Sequence, residues 1–208
     1  MHKTINSKIF YFGTPVVLIS TLNENGTPNL APMSSAWWLN HSCMLGMSGN
    51  SQTVTNLIRE RECVLNLPSA ALVSAVDKLA LTTGKKRIPD YKLNMGYEYV
   101  ADKFGRSNLT AKPAQLVKAP VVHECPVQLE AIVKNIHSFD EPSFLKAIEV
   151  EIIKTHIDES ILVEDNQNYI DPEKWKPLIM SFCEFFSLGD KLHHSRLAKP
   201  FISQCDNN

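Results

Sequence analysis

Along this chain, short runs of apolar residues alternate with turn-forming residues. The run TPVVLIST at 14–21 is rich in β-branched residues and predicts a strand. The Asn-Gly pair that follows it tolerates the positive φ of a tight hairpin turn, so TPNLAP at 27–32 is predicted to return as the partner strand. Because Pro28 and Pro32 lack an amide proton, that partner strand should be bulged or lie at a sheet edge.

The next segments predict a second hairpin and then a helix. Residues 34–40 and 43–48 are strand-like and flank a turn at Asn40-His41-Ser42. Residues 51–61 predict a short amphipathic helix with Ser51 as its N-cap. Its predicted buried stripe consists of Val54, Leu57 and Ile58.

A second helix is predicted after a buried strand at 63–68. The apolar positions of residues 70–83 follow helical spacing, with Ser69 as the cap and Gly84 at the end. The following residues, 85–119, mix Gly, Pro, Tyr and charges with weak periodicity. A stretch of that length in a compact domain is usually functional, so we expect a long loop or arm here.

Alternating strands return in the second half of the chain. Residues 125–139 and 144–157 both alternate and are joined by a turn at Asp140-Glu141-Pro142-Ser143, and residues 169–192 contain a last aromatic strand. Hairpins dominate, and no regular strand–helix alternation is present. We therefore predict a mainly β (α+β) fold: an antiparallel, Greek-key-like barrel with peripheral helices, in one domain covering residues 1–208.

Composition narrows the class of protein. The 208 residues are 44% hydrophobic and 21% charged, with a net charge of −1, which is typical of a globular domain. GKKR at 84–87 is the densest basic run and is typical of a solvated loop, so we expect no nucleic-acid partner. PVVLIS at 15–20 is too short to span a membrane. With no secretory signal pattern we expect a cytoplasmic protein.

The chemistry of the chain is concentrated in two stretches. GMSGNSQT at 46–53 joins a predicted strand to a helix N-terminus, where free N–H groups, short hydroxyls and a glycine suit an anion such as a phosphate. The alternative is that Ser51 only caps the helix and the loop binds nothing. NLAPMSSAWW at 29–38 places small hydroxyls beside flat apolar rings. The predicted hairpin brings both stretches to one rim, which suits a ligand with a flat ring at one end and a phosphate at the other.

The segments that carry these features resemble a known family. PVVLIST, NGTPNLAPMSSAWWL, CMLGMSGNSQTVTNL and ECVLNLPS, with the later KAPVVHECPVQLEA and EVEIIKTHID, are similar to the flavin reductase-like family of FMN-binding split β-barrels, including its branch related to flavoredoxin. The likeness covers about residues 12–190. It implies a homodimer with FMN near the subunit interface.

The resemblance also assigns two groups of cofactor-binding residues. The group facing the isoalloxazine ring is Met33, Ser34, Ser35, Ala36 and Trp37. The group holding the ribityl chain and phosphate is Ser48, Gly49, Asn50, Ser51, Gln52 and Thr53.

The chain departs from the family at the phosphate-binding residues. Many relatives carry Lys-Asp-Thr where this chain has Ser51-Gln52-Thr53, so the lysine that would pair with the phosphate is missing. Another cation can compensate, and the sequence does not choose among the candidates Lys85, Lys86, Arg87, Arg106 and Arg196.

Other candidate groups fit structural roles. His193 and His194 have no carboxylate or cysteine at ligand spacing, so we expect a surface position and no metal site. His123 and His156 are expected to be structural histidines, and Asp171 and Glu173 to belong to a turn. The cysteines have no adjacent base and predict free thiols, mostly buried, in a reducing cytosol: Cys43, Cys63, Cys125, Cys183 and Cys205.

Two functions from different classes follow. In the first, the protein is an enzyme whose FMN takes a hydride from NADH or NADPH and passes electrons to a flavin, a metal complex or an organic acceptor. In the second, it is an FMN-binding electron carrier without a nicotinamide site of its own. A third alternative is a barrel with an aromatic small-molecule pocket and no cofactor.

Overall fold

The computed structural model describes residues 1–139, 144–164 and 166–198. The turn predicted at 140–143 and Cys205 lie outside these residues. The strands are β1 Phe12–Pro15, β2 Val17–Leu22, β3 Pro28–Met33, β4 Ala36–Leu39, β5 Ser42–Ser48, β6 Glu62–Leu67, β7 Thr82–Thr83, β8 Glu98–Tyr99, β9 Ala111–Lys112, β10 Val121–Val122, β11 Val127–Ser138, β12 Leu145–Ile157, β13 Leu162–Val163, β14 Asn166–Ile170, β15 Leu178–Ser181 and β16 Glu184–Ser187.

The helices are short and lie outside the main sheet. They are α1 Gln52–Glu60, α2 Val73–Asp77, α3 Asp90–Asn94 and α4 Lys103–Ser107, with 3-10 turns at Ala70–Leu72 and Glu159–Ile161. Within the described part of the chain, no helix is long and apolar enough to cross a bilayer.

The main sheet confirms the predicted fold class. Its seven strands run in the order β3-β2-β6-β11-β12-β5-β4, and every neighbouring pair is antiparallel. The two edge strands, β3 and β4, are consecutive in the chain and joined by Ser34 and Ser35. The sheet therefore curls into a barrel that stays split between β3 and β4. The prolines of β3 lie in an edge strand, as predicted.

The predicted strand at 14–21 is two strands, which corrects that prediction. The break lies at Val16, between β1 and β2, where the Val16 N–H donates to the Leu178 carbonyl at 2.9 Å. β1 itself is irregular, with Gly13 at φ +93° and a register slip between Phe12 and Thr14. It pairs instead with β15, in a separate three-stranded sheet ordered β1-β15-β16. The N-terminal strand and the predicted aromatic tail thus form one unit beside the barrel.

The helix predicted at 70–83 is also shorter than expected. The α-helix ends at Asp77, Leu81 has φ +53°, and Thr82 and Thr83 form β7. The apolar spacing that predicted a long helix comes from buried residues in two different backbone conformations. Val76 lies on α2, whereas Leu79 is buried in the turn that follows the helix.

Two apolar clusters flank β2. Val17 and Ile19 face the barrel interior with Leu45, Leu65 and Ile148, among others. Leu18 faces the opposite side, where it is covered by residues from α2, α4 and β15, including Val76, Phe104 and Leu178. Residues 85–119 are therefore only partly a loop, since they contain α3, β8, α4 and β9 and contribute Phe104 and Leu109 to the second cluster.

Candidate functional site

The link between β3 and β4 is held against β5. The Gly46 N–H donates to the Ser35 carbonyl at 2.8 Å. A Cβ on Gly46 would lie only 3.2 Å from Ser35 Cβ, so the glycine permits this close approach. The Ser35 hydroxyl is hydrogen-bonded to the Tyr11 hydroxyl at 3.0 Å. Ser35 is thereby fixed through both its backbone and its side chain.

The residues around Ser35 present small half-buried groups and one exposed ring. Met33, Ser34 and Ser35 are half-buried, whereas Ala36 points into the barrel core. Trp37 is 58% exposed, and Trp38 packs against the core, so the two rings lie on opposite faces of β4. The Trp38 Nε1–H is buried without a hydrogen-bond partner among the described residues.

The turn between β5 and α1 offers free backbone donors. The Ser51 N–H donates to the Ser48 carbonyl at 3.0 Å, and the Ser51 hydroxyl caps the helix by accepting from the Val54 N–H at 3.1 Å. Within the described residues, no acceptor bonds the N–H groups of Gln52 and Thr53. These two donors and the positive end of the helix dipole form an anion-binding arrangement.

Gly49 brings this turn close to β12. Its N–H donates to the carbonyl of Phe144, and a Cβ at this position would lie 2.9 Å from that oxygen. Ser48 contacts a more distant segment, because its hydroxyl lies 3.4 Å from the hydroxyl of Tyr91 on α3. Asn50 is half-buried in the same turn.

The Thr53 side chain faces into the protein and not toward the turn. It is 3% exposed, and its hydroxyl accepts from Asn29 Nδ2 at 3.2 Å. Asn29 and Asn56 both donate to Thr21, at 3.3 and 2.9 Å, so a buried polar network joins α1 to β2 and β3. Thr53 can therefore meet an anion through its N–H, with its side chain already engaged.

The sequence reasoning missed this network. It placed Val54, Leu57 and Ile58 on the buried stripe of α1, but Ile58 is 54% exposed and Asn56 is buried. Part of the buried face of α1 is polar, because Thr53 and Asn56 contact the hydroxyl of Thr21 on β2 and the amide of Asn29 on β3. The available signal was the polar pair Thr21 and Asn29 at inward positions of otherwise apolar strands.

Both halves of the predicted site lie along one strand. Gly46, which contacts Ser35, and Ser48, which begins the anion-binding turn, are two residues apart on β5, a separation of about 7 Å. The structure thus brings the residue groups 33–37 and 48–53 to one rim of the barrel. This matches the arrangement predicted from the hairpin.

The candidate cations lie at different distances from this rim. A Cβ at Gly84 would lie 2.8 Å from Asn29 Oδ1 and 3.0 Å from Gln52 Cγ, so the chain at 84 abuts the start of α1. Lys86 follows it and lines a cleft together with Gln52. Arg106 is paired with Glu98, and Arg196 lies in the exposed C-terminal segment. Of the five candidates, Lys86 is the one that lines this cleft together with Gln52 in the described part of the chain.

The other titratable candidates have structural surroundings. Burial raises the pKa of the Cys43 thiol to about 12, and it also raises the pKa values of Cys63 and Cys125, so these thiols stay protonated at neutral pH. His156 Nε2 lies 2.6 Å from Glu130 Oε1. Among the described residues, no cluster of three or more His, Cys, Asp or Glu side chains has a metal-binding arrangement.

Comparison with known proteins identifies the family to which this chain belongs. The model of the flavin reductase like domain matches residues 9–171. The chain is 40% identical over 187 residues to the uncharacterized protein YdfE of Bacillus subtilis (strain 168), an alignment that covers 90% of this chain and 89% of YdfE.

Two solved structures share the fold. Flavoredoxin of Desulfovibrio vulgaris (Miyazaki F) has a TM-score of 0.77 at 22% identity, covering 96% of this chain and 100% of the flavoredoxin chain. A Shewanella frigidimarina NCIMB 400 protein with a split barrel domain has a TM-score of 0.70 at 17% identity, covering 88% of this chain and 85% of the other.

Proposed function

The chain belongs to the flavin reductase-like domain family, which makes it a flavin-related oxidoreductase or electron carrier, and we propose that it is an FMN-dependent NAD(P)H oxidoreductase. In this proposal FMN accepts a hydride from NADH or NADPH and passes electrons to a small-molecule acceptor, which can be a flavin, a metal complex or an organic compound.

The observation that carries the proposal is the pairing of two features along β5. The unbonded N–H groups of Gln52 and Thr53 lie at one end, and the tightly packed Ser35–Gly46 contact lies at the other. The first suits a phosphate, and the second leaves small side chains and backbone where a flat ring can approach. The residues present therefore fit FMN.

The residues at the ring end have two tasks. Small half-buried side chains at Ser34 and Ser35 leave room for a nicotinamide to stack on the open face of the ring, whereas the Ala36 side chain, which was expected to face the ring, lies in the barrel core. Hydroxyl and backbone donors there can stabilise the negative charge that develops on the ring during reduction. Hydride transfer needs no acid or base side chain, so the buried, protonated thiols of Cys43, Cys63 and Cys125 are not required for it.

Lys86 is proposed to supply the missing phosphate-site cation. It follows Gly84, whose backbone abuts Gln52, and it forms no ion pair with any described residue. A free ammonium beside a helix N-terminus strengthens binding of a dianion. Replacing Lys86 with Gln should weaken FMN binding, whereas Arg106→Gln, which removes a cation already paired with Glu98, should not.

The same proposal includes the cellular setting and the assembly. We propose a homodimer that places FMN near the subunit interface, in a reducing cytosol that keeps the thiols free. Support comes from the exposed apolar side chains of Trp37 and Leu39, which share one face of β4 and which a partner subunit can cover.

Anaerobic titration of the purified protein tests the activity. Bound flavin is identified by extraction and chromatography, and bleaching of its visible absorption is followed after NADH or NADPH is added without air. Bleaching by either nucleotide is the expected result. Reduction by dithionite or a protein partner, but by neither nucleotide, replaces the enzyme with the electron carrier.

A further inference from the structure

A small apolar pocket lies beside the ring end of the candidate site. It has a volume of about 150 Å³, and Met33 and Ser34, where β3 ends, line one side of it. Val76 on α2 and Ala80 in the turn after that helix line a second side. An apolar cavity of this size accommodates about one benzene ring.

The three-stranded sheet β1-β15-β16 forms the third wall of the pocket. Met180 and Phe185, which are paired across β15 and β16, both line it. Thr14 on β1 is paired with Met180 on the other side. Directly opposed residues of antiparallel strands point to the same face, with Cβ atoms about 5 Å apart. The Thr14 side chain therefore lies beside Met180, on the face of the sheet that borders the pocket.

The Thr14 hydroxyl is a polar group that the packing of this wall leaves unsatisfied. Its oxygen is buried and has no hydrogen-bond partner among the described residues. Most buried hydroxyl groups in proteins have a partner, because a missing hydrogen bond is unfavourable. A ligand that carries a hydrogen-bond acceptor into the pocket would satisfy this group.

The pocket discriminates among the three classes of electron acceptor considered above. In the described part of the chain, no charged residue lines it, so a charged metal complex has no group to pair with. A flavin has three fused rings, and the pocket holds one. A flat, uncharged organic ring with a carbonyl oxygen matches the volume, the apolar walls and the Thr14 hydroxyl.

We propose that this pocket binds a one-ring quinone, as the electron acceptor, alongside the flavin. The proposal rests on the proposed function, because it takes the flavin ring to lie beside Met33–Ser35. The reaction balances with two electrons. NADH or NADPH is oxidised by loss of a hydride, and the quinone gains the two electrons and the proton of that hydride, by way of the flavin, with one further proton from solvent. Its two carbonyl groups become the hydroxyls of a hydroquinone.

The binding test uses the full-length protein, with and without FMN, and two fluorinated probes. 4-Fluoroacetophenone has one ring and a carbonyl oxygen, whereas fluorobenzene has the ring alone, and the affinity of each is measured by fluorine NMR titration. Thr14→Val removes the hydroxyl and keeps the β-branched shape. Phe185→Ala enlarges the pocket, and Phe186→Ala is its matched control, because Phe186 is the next residue of β16, 54% exposed and outside the pocket.

The wild type is expected to bind both probes, whether or not FMN is present. Thr14→Val should weaken binding of 4-fluoroacetophenone about fivefold and leave the fluorobenzene affinity unchanged. Its thermal stability should be unchanged or higher, because the substitution removes an unsatisfied polar group.

Turnover with NADH tests the choice of acceptor. The FMN-loaded wild type should reduce 1,4-benzoquinone and should have a much higher KM for the two-ring menadione. Phe185→Ala should lower the KM for menadione, and Phe186→Ala should not. If NADH oxidation without air does not depend on 1,4-benzoquinone, the quinone is not the acceptor and the proposal is overturned.

Two binding results also overturn the proposal. In the first, FMN and 4-fluoroacetophenone compete for the wild type, which would make the pocket part of the flavin site. In the second, Thr14→Val and Phe185→Ala bind both probes as the wild type and Phe186→Ala do. Failure of the proposed function is seen separately, as a wild type that binds no flavin. Probe binding to the flavin-free protein then decides the pocket, which is supported if Thr14→Val loses the preference for the carbonyl probe and overturned if it keeps that preference.

Discussion

Gln52 is the residue at which charge should act most directly on the cofactor. It is the first residue of α1, half-buried, and its side chain lies on the cleft wall. Gln52→Glu places a carboxylate beside the proposed phosphate position and should weaken FMN binding about tenfold or more, by electrostatic repulsion. The same carboxylate interacts favourably with the positive end of the helix dipole, so thermal stability should be unchanged or higher.

The matched control for this prediction is Gln52→Met, which removes the 2.9 Å hydrogen bond to Asn56 without adding charge. Isothermal titration at low and high salt separates the two effects, because salt screens only the repulsion. Equal FMN affinity for Gln52→Glu and Gln52→Met would place the phosphate elsewhere.

Tyr11 should act on the ring end through Ser35. Tyr11→Phe removes the hydroxyl that is bonded to Ser35 Oγ and leaves the aromatic ring in place. A freely rotating Ser35 hydroxyl stabilises charge on the ring less well, so hydride transfer should slow severalfold, by about 1 kcal/mol, with FMN affinity unchanged.

Tyr91→Phe is the control for this prediction, because it removes a similar hydroxyl contact at Ser48, on the phosphate side. Stopped-flow reduction and the flavin midpoint potential are measured for both variants. If Tyr91→Phe alters the potential as much as Tyr11→Phe does, the effect does not arise at Ser35.

Residue identities were predicted better than side-chain directions. The sequence placed Ser51 at the start of a helix, and the structure shows its hydroxyl capping α1. Gly46 and Gly49 each permit a close backbone approach to a neighbouring segment. The inward turn of Thr53 could not be predicted, since it depends on Asn29 and Asn56, which meet it only after β3 and α1 pack together.

At the level of elements, Glu130 fastens residues 115–117 to the barrel. This carboxylate on β11 is fully buried and accepts from the N–H groups of Gln115, Leu116 and Val117, at 2.6–3.0 Å, and bonds to His156. Burial alone would raise its pKa, but the His156 contact and the three N–H donors outweigh burial and lower the pKa.

A pH dependence of stability follows from that lowered pKa. The folded state binds the Glu130 proton less tightly than the unfolded state, so the stabilisation is complete above the unfolded pKa, about 4.3, and is lost as the pH falls toward the folded pKa. Glu130→Gln should lower the free energy of unfolding at pH 7 by about 1–3 kcal/mol.

Urea denaturation at a series of pH values checks this prediction. The variant should lose the acid-dependent part of its stability, whereas Glu151→Gln, on the neighbouring strand, should keep it. If the free energy of unfolding falls in parallel for the wild type and Glu130→Gln between neutral and acid pH, the Glu130 carboxylate makes no pH-dependent contribution to stability.

Segments whose apolar residues keep a single helical or strand spacing were predicted well. Segments that change from one type of secondary structure to another were not. The hairpin of β11–β12 and the bounds of helix α1 follow their patterns closely, although the buried face of α1 was predicted wrongly at Asn56 and Ile58. The segment 70–83 keeps apolar spacing across a 3-10 turn, a short helix and β7, so its period does not reveal the two changes in backbone. The break before β2 depends on β15, which pairs with β1 from the far end of the chain.

At the scale of the whole molecule, we predict a homodimer. Light scattering at micromolar concentration should give about twice the 23.4 kDa mass of the chain. Trp37→Glu, which places a charge at an exposed position of the open edge strand, should shift the mass toward one chain, whereas Lys134→Glu on β11 should not. A mass of one chain for the wild type contradicts the prediction.

The pairing of β1 with β15 also bears on how the protein matures. Phe12 pairs with Ser181, so this sheet closes a loop of about 170 residues and is expected to form slowly. Tyr11, which is bonded to Ser35, also accepts from the Phe182 N–H through its carbonyl. A ribosome-bound chain that already has its barrel would therefore still lack a finished ring site. We therefore predict that the proposed redox activity appears only after the β15–β16 hairpin has left the exit tunnel.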